Sequence, residues 1–221
     1  MGIVSVEQTD GLYWLGRYTE RVYTTVRLFL KTYDTMIDKL EDEYQDFCAR
    51  LEIPDIYESG EHFIKSYAFD EHNPDSIMSN LLRAYDNAVV LREEIGSDAL
   101  SYVQLAIYDI QKAAVSEAPM IEFQKIIDNI LAFWGIVDDI IPSENIRNTI
   151  KIGKRIERID LFARLRSTKS NLMREVKRLT GRIDRCNLRY KKYVLEELNE
   201  LVLSDNLDYK KITDDIEHIL E

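Results

Sequence analysis

The chain has 221 residues, of which 45% are hydrophobic, and a formal net charge of −11. That apolar share excludes a disordered protein, because it is large enough to form a core. Transmembrane runs and a secretory signal peptide are not recognisable in the sequence, so we expect a cytoplasmic protein with no membrane partner. Cys48 and Cys186 lack metal-type spacing, and we expect both to be buried thiols.

The charge is distributed very unevenly. Residues 147–192 hold sixteen Lys and Arg against four acidic residues, a net charge of +12, so the rest of the chain carries −23. This asymmetry indicates either basic helices docked on acidic ones or a basic face that holds an anion. Nucleic acid is not expected as a partner, because the negative charge of the remaining chain would repel a long polyanion.

Apolar residues recur at three- and four-residue intervals almost throughout the chain, which predicts an all-α fold. Asn73-Pro74, Ser97, Pro119 and Ser143 are typical helix starts, and Gly96 a typical helix end. The acidic stretch 41–61, interrupted at Pro54 and Gly60, predicts one or two short helices. The place of residues 41–72 in the fold is left open. The main predicted helices cover about 6–40, 73–95, 97–115, 119–134, 144–168, 170–203 and 209–220.

One helical phrase occurs twice. Gly16–Leu28 reads GRYTERVYTTVRL and Gly153–Leu165 reads GKRIERIDLFARL, a register shift of 137 residues. Repetition at this distance is typical of pseudo-symmetric halves. We therefore predict a single antiparallel multi-helix bundle over residues 1–221, in which the shift relates the two halves. The helix predicted over about 170–203 has a nearly heptad apolar rhythm.

Three segments carry a resemblance to a known family. They read LYWLGRYTERVYTTVRL, NPDSIMSNLLRAYDNAVVLREEI and IKIGKRIERIDLFARL, and together they span about the first three-quarters of the chain. The chain resembles the bacterial alpha-E domain, a helical domain named for its Glu-Arg motifs. The middle segment departs from that pattern at Val89, where an Arg is expected. The resemblance implies an association with ATP-grasp-type ligases or transglutaminase-like proteins, and hence a part in peptide synthesis or modification.

Each copy of the repeat contains a glycine within a helix, which costs roughly 1 kcal/mol relative to alanine. We expect the two helices to cross closely at Gly16 and Gly153, so that the glutamate of each phrase reaches an arginine of the other. In the second copy, Leu161 and Leu165 lie away from the main apolar stripe, which indicates an internal helix. Buried charges must be paired.

These charged residues allow two interpretations besides chance repetition. Reciprocal Glu–Arg pairs could fix how the helices dock, or arginines could bind a carboxylate or phosphate bidentately while the glutamates orient them. The candidate residues are Glu20, Arg21, Arg27, Glu157, Arg158 and Arg164. Secondary candidates are Arg17, Lys154, Arg83, Asn87 and Arg92.

Three functions remain open from the sequence. The first is a non-catalytic accessory domain that binds a partner enzyme or a small anionic ligand. The second is an enzyme acting on an amide or carboxylate between the two Glu-Arg helices, with a glutamate as general base. The third is a structural dimerisation bundle built on the near-heptad helix. No catalytic residue, metal or cofactor is predicted, because the sequence contains no recognised nucleophile, metal-ligand or phosphate-loop motif.

Overall fold

A computed structural model describes residues 5–39 and 43–221. It confirms the all-α prediction, with ten helices and no strand among the described residues. The helices are α1 Val6–Lys39, α2 Glu43–Leu51, α3 Gly60–Phe69, α4 Ile77–Val90, α5 Arg92–Ala113, α6 Pro119–Asp139, α7 Glu144–Arg164, α8 Lys169–Ile183, α9 Lys192–Leu203 and α10 Tyr209–Glu217. No described helix has the length and apolar character that a membrane crossing requires.

Several local predictions are confirmed. Pro119 begins α6, and Ser143 caps α7 by accepting a hydrogen bond from the Ile146 amide. The predicted helix end at Gly96 is only partly met: α4 already ends at Val90, and Gly96, with a φ of 84° that glycine adopts without the cost of a Cβ, interrupts the helical path of α5. The acidic stretch contains one short helix, α2, and α3 begins at Gly60 near the end of the stretch. Residues 41 and 42, like residue 40 of the predicted first helix, lie outside the described ranges. Cys48 and Cys186 are free thiols, the first buried and the second half-buried.

The prediction of one long basic helix over 170–203 is wrong, because this part of the chain forms two helices, α8 and α9. The separating segment finds hydrogen-bond partners outside the helix: the Asn145 side chain accepts from the Asn187 amide, and Asn148 donates to the Arg185 carbonyl. The Lys191 amide donates to the Ile219 carbonyl, which joins the segment to the end of the chain. The apolar rhythm persists because each shorter helix buries a stripe of its own.

Two helix boundaries also differ from the prediction. Asn73 does not cap a helix; its side chain closes a turn onto the Asp75 amide, and α4 begins a few residues later under the Ser76 cap. The helix predicted to reach residue 168 ends at Arg164, because Arg166 has a φ of 47° and Thr168 caps α8. Both differences arise from short polar side chains that bond to the backbone in competition with the helix.

The chain divides into two compact units, with the boundary between Glu20 and Arg21 in α1. The terminal unit combines α1 up to Glu20 with Pro142–Glu221, and the middle unit is Arg21–Ile141. In the terminal unit, one core joins apolar residues of α7, α8, α9 and α10. The middle unit has an aromatic core in which Phe29, Phe63, Tyr67 and Phe123 are buried. The single domain and the relation between two halves stay predictions.

Candidate functional site: the buried Glu-Arg crossing of the terminal unit

Two helices of the terminal unit cross with their backbones in contact. A Cβ added to Gly16 would overlap the carbonyl of Ile150, and one added to Gly153 would overlap the carbonyl of Tyr13. The expected close approach at both glycines is therefore confirmed. Only residues without a side chain allow backbones to come this near, which explains why a helix interior tolerates them.

The crossing has local two-fold symmetry. Gly16 faces Ile150 and Lys154, whereas Gly153 faces Tyr13 and Arg17. A shift of 137 residues relates Gly16 to Gly153, Tyr13 to Ile150 and Arg17 to Lys154, so the two sets of contacts are equivalent. The repeated sequence thus marks two helix segments that use the same surface to contact each other, as an isologous interface does between two subunits.

Glu20 lies on one side of this crossing and is fully buried. Its two carboxylate oxygens accept hydrogen bonds from Nε and Nη2 of Arg158, at 2.6 and 2.7 Å. Such bidentate, charge-assisted bonds are among the strongest that side chains form. Lys154 lies close enough to interact electrostatically with Glu20, although burial and the positive Arg158, Arg155 and Lys151 lower its pKa.

Glu157 occupies the equivalent place in the second phrase and is also fully buried. It accepts a 2.6 Å hydrogen bond from Nε of Arg17. Arg17 packs between aromatic rings, with its guanidinium carbon 5.1 Å from the Trp14 ring centre. Burial disfavours the charge of Arg17, but Glu157, Tyr13 and Asp160 outweigh it and raise the pKa of Arg17. Arg17, which was only a secondary candidate in the sequence, is thus the residue that pairs with Glu157.

Asp160 adds a further carboxyl group to the Arg17 side of the crossing. It is buried, with 4% of its surface exposed, and it accepts a 3.0 Å hydrogen bond from Nε of Arg164. Arg164 also donates to Glu217 of α10, at 2.8 Å. Burial and the negative Glu157 raise the pKa of Asp160 to about 6, because together they outweigh Arg164 and Arg17.

Replacing Asp160 with asparagine should remove a pH-dependent loss of stability. Because the folded-state pKa is raised, the stabilisation from protonated Asp160 is complete below about pH 4 and is lost as the pH rises through 6. Urea unfolding at pH 4, 6 and 8 should show Asp160→Asn gaining up to about 3 kcal/mol over the natural chain between pH 4 and pH 8. A constant difference across this range would contradict the raised pKa.

A second charged cluster between α7 and α8 was not predicted. Glu175 is fully buried and accepts hydrogen bonds from Arg155 at 2.6 Å, Arg178 at 2.9 Å and Arg174 at 3.2 Å. Burial raises its pKa, but the surrounding arginines outweigh burial, so the net shift is downward. The sequence signal was an acid on the apolar stripe of Leu172, Val176 and Leu179, where a charge must be paired.

The remaining candidates have contacts within the middle unit. Arg21 donates to the Asn80 side chain at 3.5 Å, and the exposed Arg27 stacks on Tyr23 and donates to its hydroxyl. Arg83 donates to the Pro74 carbonyl, and Arg92 to the Ser97 hydroxyl. Asn87 is half-buried in α4, where its carbonyl accepts from the Leu91 amide. An anion site formed by Arg21, Arg27, Arg158 and Arg164 stays a prediction.

Comparison with known protein families finds a match that covers most of the chain. Residues 8–198 match the family called Alpha-E, described as a predicted alpha-helical domain with a conserved ER motif. The chain belongs to the Alpha-E family. Comparison with curated proteins and with solved structures gives no match. In this Alpha-E chain, the two Glu-Arg dipeptides are Glu20-Arg21 and Glu157-Arg158, and both glutamates are buried where α1 and α7 cross.

Proposed function

We propose that this Alpha-E chain is a non-catalytic accessory domain that binds a partner protein. One observation carries the proposal: the glutamates of both Glu-Arg motifs are fully buried, and arginines of the facing helix hold them. A glutamate that accepts hydrogen bonds from an arginine of the facing helix links the two helices of the crossing. The motif therefore suits a scaffold whose function lies on its surface.

The resemblance suggests which partner this would be. It points to an ATP-grasp-type ligase or a transglutaminase-like protein, acting in the synthesis or modification of peptides in a bacterial cytoplasm. Free thiols at Cys48 and Cys186 are in keeping with a reducing compartment. The accessory domain would recruit or orient the partner enzyme, and the enzyme would perform the chemistry.

A groove between α8 and α9 is the surface that we assign to the partner. Its volume is about 410 Å³, and its lining consists of Met173, Val202, Leu203, Asn199, Arg174 and Lys177. Apolar side chains thus form much of the wall, and two cations lie beside them. Lys177 is exposed and makes no ion pair with any residue of the described ranges. This chemistry fits a partner segment that inserts an apolar side chain and places acidic residues at the edge of the groove.

Co-expression with an ATP-grasp-type ligase and with a transglutaminase-like protein from the same genome tests the proposal. We expect one of them to co-purify, and Leu203→Asp or Lys177→Glu to weaken that complex at least tenfold, about 1.4 kcal/mol. Val115→Asp is the matched control for the first change, since Val115 is exposed like Leu203 but belongs to the middle unit. Lys210→Glu is the control for the second, because Lys210 is an exposed lysine of α10.

If neither kind of protein binds the purified chain, the proposed accessory function is wrong. If one of them binds and all four variants bind it equally well, the domain is an accessory but the groove is not its docking surface.

An enzyme acting on an amide or carboxylate is the second candidate, and Asp160 favours it. A general base needs a pKa near neutrality, and that of Asp160 is raised to about 6. Asp160, and not the predicted glutamate, would then accept the proton. Turnover of a peptide or amide substrate by the isolated chain, lost in Asp160→Asn, would support this candidate over the accessory domain. The dimerisation bundle loses its basis, because the helix that suggested it is divided into α8 and α9.

A further inference from the structure

The faces of α7 and α8 that meet carry an excess of positive charge. Hydrogen bonds fix how these helices are aligned: Asn148 accepts from Arg182 at 3.0 Å, and Arg155 donates to Glu175 at 2.6 Å. The two residues that make these bonds, which we call the anchors, are seven residues or two helical turns apart on each helix, and the two helices run antiparallel. Lys151 lies one turn from each anchor on α7, so it is level with the stretch of α8 between Arg178 and Arg182.

We define the basic cluster as Lys151, Arg155, Arg178 and Arg182. Glu175 accepts from Arg155 and Arg178, but it also accepts from Arg174, so three guanidinium groups share one carboxylate. Arg182 donates to the Asn148 amide oxygen, which carries no charge. Within these contacts, positive charge therefore exceeds negative charge by several units.

The electrostatics of the cluster agree with this excess. Burial and the positive charges of Arg182 and Arg155 lower the pKa of Lys151 to about 8. Burial and the neighbouring Arg185, Arg178 and Arg147 likewise lower the pKa of Arg182. Nε of Arg155 is a buried donor that has no hydrogen-bond acceptor in the described part of the chain. Like charges crowded in this way repel one another, and a bound anion would relieve the repulsion.

We propose that the basic cluster is a binding site for a phosphoryl group, either inorganic phosphate or a phosphate monoester. The Arg178 side chain is 47% exposed, whereas Lys151 is 4% exposed. An anion arriving from solvent would thus meet Arg178 first, and Arg155 and Lys151 are the more buried cations of the cluster. A dianion with several acceptor oxygens matches two guanidinium groups and an ammonium better than a monoanionic carboxylate does.

This site is separate from the buried Glu-Arg crossing and does not depend on the partner protein. Thermal melting at pH 7.5 in a buffer without phosphate provides the test, with sodium chloride at matched ionic strength as the reference. At roughly 100 times its dissociation constant, phosphate should raise the midpoint by about 5 °C or more over chloride. Phosphoserine serves as the monoester probe, and a larger shift with it would favour a monoester as the ligand.

Two variants and a control locate the binding. Arg182→Gln and Arg178→Gln should each reduce the phosphate shift by half or more, whereas the charge-matched Lys210→Gln on α10 should keep it. Without phosphate, Arg182→Gln should melt within about 2 °C of the natural chain, because the lost hydrogen bond is offset by relief of repulsion. Equal phosphate shifts in all three variants, or an acetate shift equal to that of phosphate, would overturn the proposal.

Discussion

Replacing Gly16 or Gly153 with alanine is expected to destabilise the protein by about 3 kcal/mol or more, a drop of about 6–12 °C in melting temperature. The added methyl group would overlap the carbonyl of Ile150 in the first variant and that of Tyr13 in the second. A flexible side chain could rotate away, but a helix backbone cannot, so the two helices would have to separate. That separation would also lengthen the bonds of Glu20 and Glu157.

Alanine at Gly181 is the matched control, because Gly181 is a helical glycine of the same unit with open space around its Cβ position. There the better helix propensity of alanine should raise stability by roughly 0.5–1 kcal/mol. A lower melting temperature for Gly16→Ala together with a higher one for Gly181→Ala would establish that the crossing, and not the helix, requires glycine. A gain of stability at Gly16 or Gly153 would mean that the helices do not approach as closely as described.

The crossing was predictable from the sequence because both copies of the repeat contain a glycine within a helix. A glycine inside a helix is costly, and its repetition beside the same charged residues pointed to a contact that no other residue allows. The helix starts at Pro119 and Ser143 were predictable because each residue acts on the first turn of its own helix. The break between α8 and α9 was not, because Asn145, Asn148 and the end of the chain hold it from a distance.

The sequence predicted that glutamates and arginines of the two phrases would pair, but not which arginine would pair with which glutamate. Arg17 and Arg21 are four residues apart, so they lie on nearly the same helix face, and the pattern could not decide which one meets Glu157. The crossing geometry decides for Arg17. The raised pKa of Asp160 was beyond the sequence, because it depends on burial and on the nearby Glu157. Glu175 could have been identified from its place on the apolar stripe of α8.

Glu20→Gln and Glu157→Gln should each lower the stability by about 3–5 kcal/mol, which corresponds to a fall of roughly 6–20 °C in melting temperature. Glutamine keeps the size of the side chain but removes its charge, so Arg158 or Arg17 would remain charged without its carboxylate. Both glutamates have 0% of their surface exposed, so water cannot substitute for the lost partner. Glu200→Gln, at an exposed position of α9, should change the free energy of unfolding by less than about 0.5 kcal/mol.

A double variant separates the pairing from the general effect of a buried charge. Because much of the cost of Glu20→Gln is the stranded Arg158, the combination Glu20→Gln with Arg158→Gln should be less harmful than the sum of the two single changes, by about 1–3 kcal/mol. Additive losses would mean that each residue acts through other contacts. Single variants that melt like the natural chain would instead mean that the fold does not need these charges. Their burial at the crossing would then point to a bound ligand as the reason for the Glu-Arg motif.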